Sequence, residues 1–136
     1  MIFPALPGML YQLPENIEAE QALLGTLLAM RAEPISDLLK PEHFADPMHR
    51  AIYEAICRRY QAGQAVDLAA IQAAVEPTGL LDEAGGTQYL TQLVIQSGAL
   101  SAEEHARSIV LAWIFRRKLD EAHEAHRRSA DGGGAR

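Results

Sequence analysis

The chain contains one cysteine, Cys57, among its 136 residues. No intramolecular disulfide can form, and a reducing, cytoplasmic setting is the natural expectation. Cys57 follows Ile56 inside a helical pattern and reads as a small, partly buried residue. Aromatic residues make up only 6% of the chain, so any core must be mainly aliphatic, which suits packed helices. No run approaches the roughly 20 apolar residues of a membrane span. The apolar opening, MIFPALPGMLYQLP, lacks a basic leader and is broken by Pro4, Pro7 and Pro14, so it is no signal peptide. It reads as an extended arm over residues 1–16. The only lysines are Lys40 and Lys118, and neither follows the glycine pattern of a phosphate-cradling loop. A basic stripe is missing too: residues 1–100 hold 5 Lys/Arg against 12 Asp/Glu, residues 101–136 hold 7 against 6, and the whole carries −6. Nucleic-acid binding rests on neutralising phosphates, so an acidic head argues for protein partners instead. Alternating apolar and polar runs are also missing, which leaves no convincing strand.

What the chain does have is helical spacing. Six helices are expected within one domain of residues 17–128, with no internal repeat. The first runs from Ile17 to Met30, capped by Asn16, with Glu18 and Glu20 at its positive end and Leu23, Leu24, Leu27 and Leu28 on its apolar side. A short second helix is expected from Ile35 to Leu39, between Pro34 and Pro41. The third extends from Pro47 to about Gln61, capped by Asp46, and carries Met48, Ile52 and Ile56 as a stripe beside Tyr53 and Tyr60. The fourth begins after Asp67 and turns Leu68, Ile71 and Val75 inward, ending at Pro77 and Gly79. The fifth follows Gly85-Gly86, presents Tyr89, Leu90, Leu93 and Val94, and stops at Gly98. The sixth opens with a capping box, Ser101 with Glu104, and continues to about Arg128. Its length exceeds what a small globule needs, so its far half is expected to project. Residues 129–136, SADGGGAR, have the composition of a flexible tail or linker. The fold class is therefore all-α: a compact bundle of about six helices with a long projecting C-terminal helix.

Several motifs imitate chemistry. Asp120-Glu121-Ala122-His123 spells the acidic box of a helicase class, yet it sits on an exposed helix behind Arg116-Arg117-Lys118, without a phosphate loop. His123 and His126 have ligand spacing, but no third or fourth ligand accompanies them. His43, His49 and His105 are isolated in sequence, with surface or capping roles as the default. No nucleophile sits in a glycine-flanked elbow, and no carboxylate pair stands out. No catalytic, cofactor-binding or metal-binding residue is assigned. The candidate interface residues are Tyr89, Trp113, Phe115, Arg116 and Arg117. Trp113 and Phe115 lie on different faces of the long helix, and an exposed aromatic on a projecting helix points to a partner surface.

Five ordered blocks carry a resemblance. LPENIEAEQALLGTLL resembles the opening of the DnaB-family replicative DNA helicases. LLKPEHFADPMHRAIYEAI is similar to that family's proline-x-histidine entry to its third helix, and GQAVDLAAI to its valine-aspartate-leucine turn. LLDEAGGTQYLTQL is similar to its glycine-glycine segment, and SAEEHARSIVLAWIFRRKL to its long helix. The resemblance covers about residues 13–122. It implies a non-catalytic helical head that helps form the collar of a hexameric ring and docks primase. ATP and magnesium would belong to a separate motor domain. The implied partners are other helicase subunits, primase and a helicase loader, with no direct nucleic-acid binding. In the family the long helix is followed by a second, and the hairpin pairs with a neighbouring subunit. Here SADGGGAR follows instead, so half a hairpin and a monomer or weak dimer are expected. A stand-alone helicase- or primase-binding regulatory module is the alternative, and a primase-associated bundle or an enzyme ranks below it.

Overall fold

The computed structural model describes residues 16–96 and 101–134, with side chains through Ser129. Six α-helices occupy this stretch: α1 (Ile17–Met30), α2 (Pro47–Gln61), α3 (Leu68–Val75), α4 (Leu80–Glu83), α5 (Thr87–Ile95) and α6 (Ala102–Gly134). Two short 3₁₀ helices, Pro41–His43 and Glu76–Thr78, join them. No strand occurs among the described residues. The arm expected over residues 1–16 lies outside them except for Asn16, as does Gly98.

Helix α1 is the central element because half of its surface is buried. Ala19, Glu20, Leu23, Leu24, Gly25, Leu27 and Leu28 all face inward, and α5 and α6 pack on it. Asn16 Oδ1 accepts from the Ala19 N–H at 3.1 Å, satisfying one of the orphan donors at the helix start. Met30 is 72% exposed, since it lies on the last turn beyond the packed face. Arg31 then adopts φ 50°, and its N–H closes onto the Leu27 carbonyl. This left-handed closure is ordinarily left to glycine.

The helix expected at Ile35–Leu39 does not form. One turn forms instead, in which the Ile35 carbonyl accepts from Leu38 and Leu39 at 3.1 and 2.8 Å. The six residues between Pro34 and Pro41 cannot repay helix nucleation, and burial of Leu39 fixes the turn. The sixth α-helix is α4, which the sequence reading assigned to no element. Gly79 enters it at φ 75°, and Gly86 N–H closes on Leu81 O at 2.8 Å. Leu81 anchors this single turn in the core.

Helix α2 starts where Asp46 Oδ1 accepts from Met48 N at 2.8 Å, with Pro47 in the first helical position. Met48, Ile52, Tyr53 and Ile56 are buried, while Tyr60 remains 43% exposed. Asp67 caps α3 through Ala70 N at 2.9 Å. Asp67→Ala should cost about 1 kcal/mol of stability, as loss of an N-cap usually does. A urea unfolding curve with unchanged slope would measure it.

Helix α6 opens with the expected capping box. Glu104 N donates to Ser101 Oγ at 3.2 Å, and Ser101 N donates to Glu104 Oε1 at 3.3 Å. Ala106 and Ile109 are fully buried against the head. From Asp120 to Ser129 every residue is exposed, so this half of the helix projects. The helix runs to Gly134 rather than ending near Arg128. At 1.5 Å per residue it is about 50 Å long.

Candidate partner-docking surface

The long helix leaves the head across the 3₁₀ turn Pro41–His43. Trp113, half-buried, meets the His43 ring at 4.5 Å between centroids, with 66° between planes. Arg116 Nη2 donates to the His43 carbonyl at 2.9 Å. Arg117 lies over the Trp113 ring, 5.3 Å from its centroid, a cation–π arrangement. Trp113, Arg116 and Arg117 thus gather around one turn. Trp113 and Arg117 border a cleft of about 590 Å³, lined also by Pro41, Glu42, Arg50 and Glu54. Its lining mixes both signs of charge. Binding pockets for small molecules are usually mainly apolar, so this cleft lacks their character.

Phe115 points elsewhere. It is 59% exposed, and Leu111 and Ile114, at 57% and 40%, lie with it on one helix face. Positions i, i+3 and i+4 are neighbours on a helix surface, so the three side chains form one apolar stripe open to solvent. Lys118 continues the same face with an exposed cation.

Tyr89 is placed differently again. It is half-buried on α5, and its hydroxyl reaches Gln21 Nε2 at 3.1 Å and His49 Nε2. Burial raises the Tyr89 phenol above its ordinary value of 10.0. On the far side, His49 Nδ1 lies 2.8 Å from Glu20 Oε1, and both residues are buried. The second carboxylate oxygen of Glu20 accepts from Ala45 N at 2.7 Å. One proton arrangement satisfies the whole line: Gln21 donates to the Tyr89 oxygen, Tyr89 O–H donates to His49 Nε2, and His49 Nδ1–H donates to Glu20. The network ties α1, the start of α2, and α5 together.

His49 therefore corrects the expectation of a surface or capping histidine. The sequence held a signal: Glu20 precedes Leu23 and Leu24 at helical spacing, and His49 lies between Met48 and Ile52. Both are polar residues on apolar faces, and each needs a partner when buried. What one sequence lacks is the tertiary pairing. His43 does cap, since its Nδ1 accepts from Lys40 N at 2.9 Å. His105 is half-buried, and its buried Nε2 has no hydrogen-bond partner among the described residues. Cys57 is partly buried, as expected, and burial raises its thiol above the ordinary value of 9.0. Asp120, Glu121 and His123 all lie exposed on the projecting helix. Among the described residues, no three His, Cys, Asp or Glu side chains come together in a way that could hold a metal ion. No helix there is long and apolar enough to cross a membrane.

Comparison with known proteins places this architecture. A family model described as the DnaB-like helicase N-terminal domain matches residues 12–110. The replicative DNA helicase DnaB of Rhodothermus marinus is 36% identical over 111 residues, covering 79% of this chain and 12% of that protein. The replicative DNA helicase DnaB of Geobacillus stearothermophilus is 35% identical over 112 residues, covering 80% of this chain and 25% of that protein. The chain thus spans between an eighth and a quarter of these relatives. Among solved structures, the N-terminal domain of DnaB helicase from Mycobacterium tuberculosis superposes with a TM-score of 0.80 at 27% identity, covering 90% of this chain and 89% of that one. A DnaB-like replicative helicase, described with its interactions with primase, superposes at 0.67 and 30% identity, covering 85% of this chain and 28% of that one.

Proposed function

The chain belongs to the DnaB-like helicase N-terminal domain family, and from that premise we propose that it is the non-catalytic assembly and docking head of a replicative DNA helicase. Its work in this reading is to join helicase subunits into a collar and to receive primase, with a helicase loader as a further partner. Hydrolysis of ATP with magnesium belongs to a motor domain that these residues do not include. The setting is the cytoplasm, where replication proceeds.

The observation that carries this reading is the open stripe of Leu111, Ile114 and Phe115 on a helix that projects from an otherwise well-buried head. A contiguous apolar face left in water marks a protein contact. Trp113, Arg116 and Arg117 flank it near the 3₁₀ turn, and Tyr89 offers a further contact from α5.

Calorimetric titration against primase, and separately against intact helicase, tests the proposal. Phe115→Ser should weaken binding at least about tenfold, as loss of an aromatic anchor does. Because Phe115 is already exposed, the same substitution should change folding stability by less than about 0.5 kcal/mol. If wild-type protein bound neither primase nor helicase, the reading would fail. Binding to intact helicase alone would favour a primase-associated module.

A further inference from the structure

Residues 1–15 have a composition unlike that of a free tail. Nine of the fifteen are apolar and one, Glu15, is charged, whereas segments that stay unfolded carry much charge and few apolar groups. Pro4, Pro7 and Pro14 set the segment against a helix and toward an extended form. It joins the described structure at Asn16, and Asn16 lines a cleft of about 520 Å³ with Ala19, Ala22, Gln96, His105 and Ser108. The segment is thus tethered at the edge of that cleft.

One lining residue has an unanswered polar atom. His105 Nε2 is buried without a hydrogen-bond partner among the described residues, and such atoms are ordinarily paired. Extended backbone laid over it offers both an N–H and a carbonyl. From His105 and Ser108 the same face of α6 continues, at steps of three and four residues, through Ala112, Phe115 and Leu119. Leu111 lies beside this strip, and it and Phe115 are exposed. Apolar surface therefore runs from the tether out along the long helix. The distance from His105 to Leu119 is about 21 Å at the helical rise. Eight residues in the extended form that prolines favour span about 25 Å.

We propose that the segment before Asn16 is a strap for its own chain: Leu6 to Leu13 lie over the cleft and on along α6, covering the apolar strip as far as Leu119. The contact is made within one chain and needs no partner, so it goes beyond the docking reading and stands or falls apart from it. A partner that takes the same face displaces the strap.

The test is paramagnetic broadening in the 15N-labelled chain. Cys57→Ala removes the native thiol, and Gly8→Cys carries a nitroxide in the middle of the segment. The amide signals of His105, Ser108, Leu111 and Phe115 should lose most of their intensity relative to the reduced label, while those of α3 keep theirs. Leu6→Ser with Leu10→Ser retains the tether and the label but removes the apolar contacts, and should restore the four signals. Equal broadening with and without these two substitutions overturns the proposal, because it shows tether proximity alone. Broadening that stops at Ser108 overturns it too, since the strap would not reach the strip. An equal mixture of nitroxide-bearing unlabelled chain and 15N-labelled chain without a nitroxide should show no broadening. Broadening there assigns the contact to a second copy and likewise overturns the proposal.

Discussion

Replacing Glu20 with alanine should destabilise the head by about 3–5 kcal/mol, the usual loss when one member of a buried, hydrogen-bonded pair is removed. The cost comes from what is left behind. His49 Nδ1 loses its partner at 2.8 Å, and Ala45 N loses its acceptor at 2.7 Å. The Asp46 N–H, 3.4 Å from Oε1, is orphaned as well. Each buried donor without a partner costs about 1–3 kcal/mol. Glu20→Gln keeps the shape and one acceptor oxygen, so it should cost clearly less. Urea denaturation of both variants at neutral pH provides the measurement. Equal losses for alanine and glutamine would show that the carboxylate geometry is not what holds α1 to the start of α2. A double-mutant cycle with His49→Ala would then report the coupling directly.

Phe44→Ala should cost a similar amount, about 3–5 kcal/mol, because it leaves a cavity where a fully buried ring was. Phe44 is 0% exposed and lies 5.0 Å, centroid to centroid, from the Tyr53 ring. The Tyr53 hydroxyl in turn donates to the Leu39 carbonyl at 2.9 Å. Burial pushes the Tyr53 phenol far above its ordinary value, in keeping with a proton held for that bond. Phe44 also ends the 3₁₀ turn, its N–H reaching Pro41 O at 3.2 Å. The substitution should therefore do more than lower the urea midpoint. It should shift emission from Trp113, the sole tryptophan, which rests on that turn. A midpoint loss below about 1 kcal/mol would mean that the surrounding side chains collapse into the space, against the rigid packing of such interiors.

The elements that could be read from sequence are those whose signals are local. Asn16, Asp46, Asp67 and the Ser101–Glu104 box each mark a helix start by a side chain bonding its own backbone nearby, and all four act so in the structure. Apolar spacing placed Ile52, Ile56, Ile71 and Leu90 in the core, where they lie. The failures fall where tertiary burial overrides local preference. Leu39 is buried by a single turn rather than a helix, and Leu81 draws the short LLDE segment into one. The candidate surface was legible in part for the same reason. Phe115 stands exposed because the helix geometry alone puts it away from Ile109 and Trp113. Trp113 itself is half covered, because His43, seventy residues earlier, comes to meet it. The Glu20–His49–Tyr89 line joins three segments far apart in sequence, and no periodicity in one chain announces such a meeting.

The division of α6 into an embedded half and a bare half gives it the mechanics of a lever. Its fulcrum is the turn beneath Trp113, and the arm from there to Ser129 measures about 24 Å at the helical rise. A tilt of about 10° at the fulcrum would swing the tip by about 4 Å, roughly three-quarters of a helical pitch. Rearrangements too small to disturb packing around His43 would thus reach the far end as a displacement that a neighbouring molecule could register.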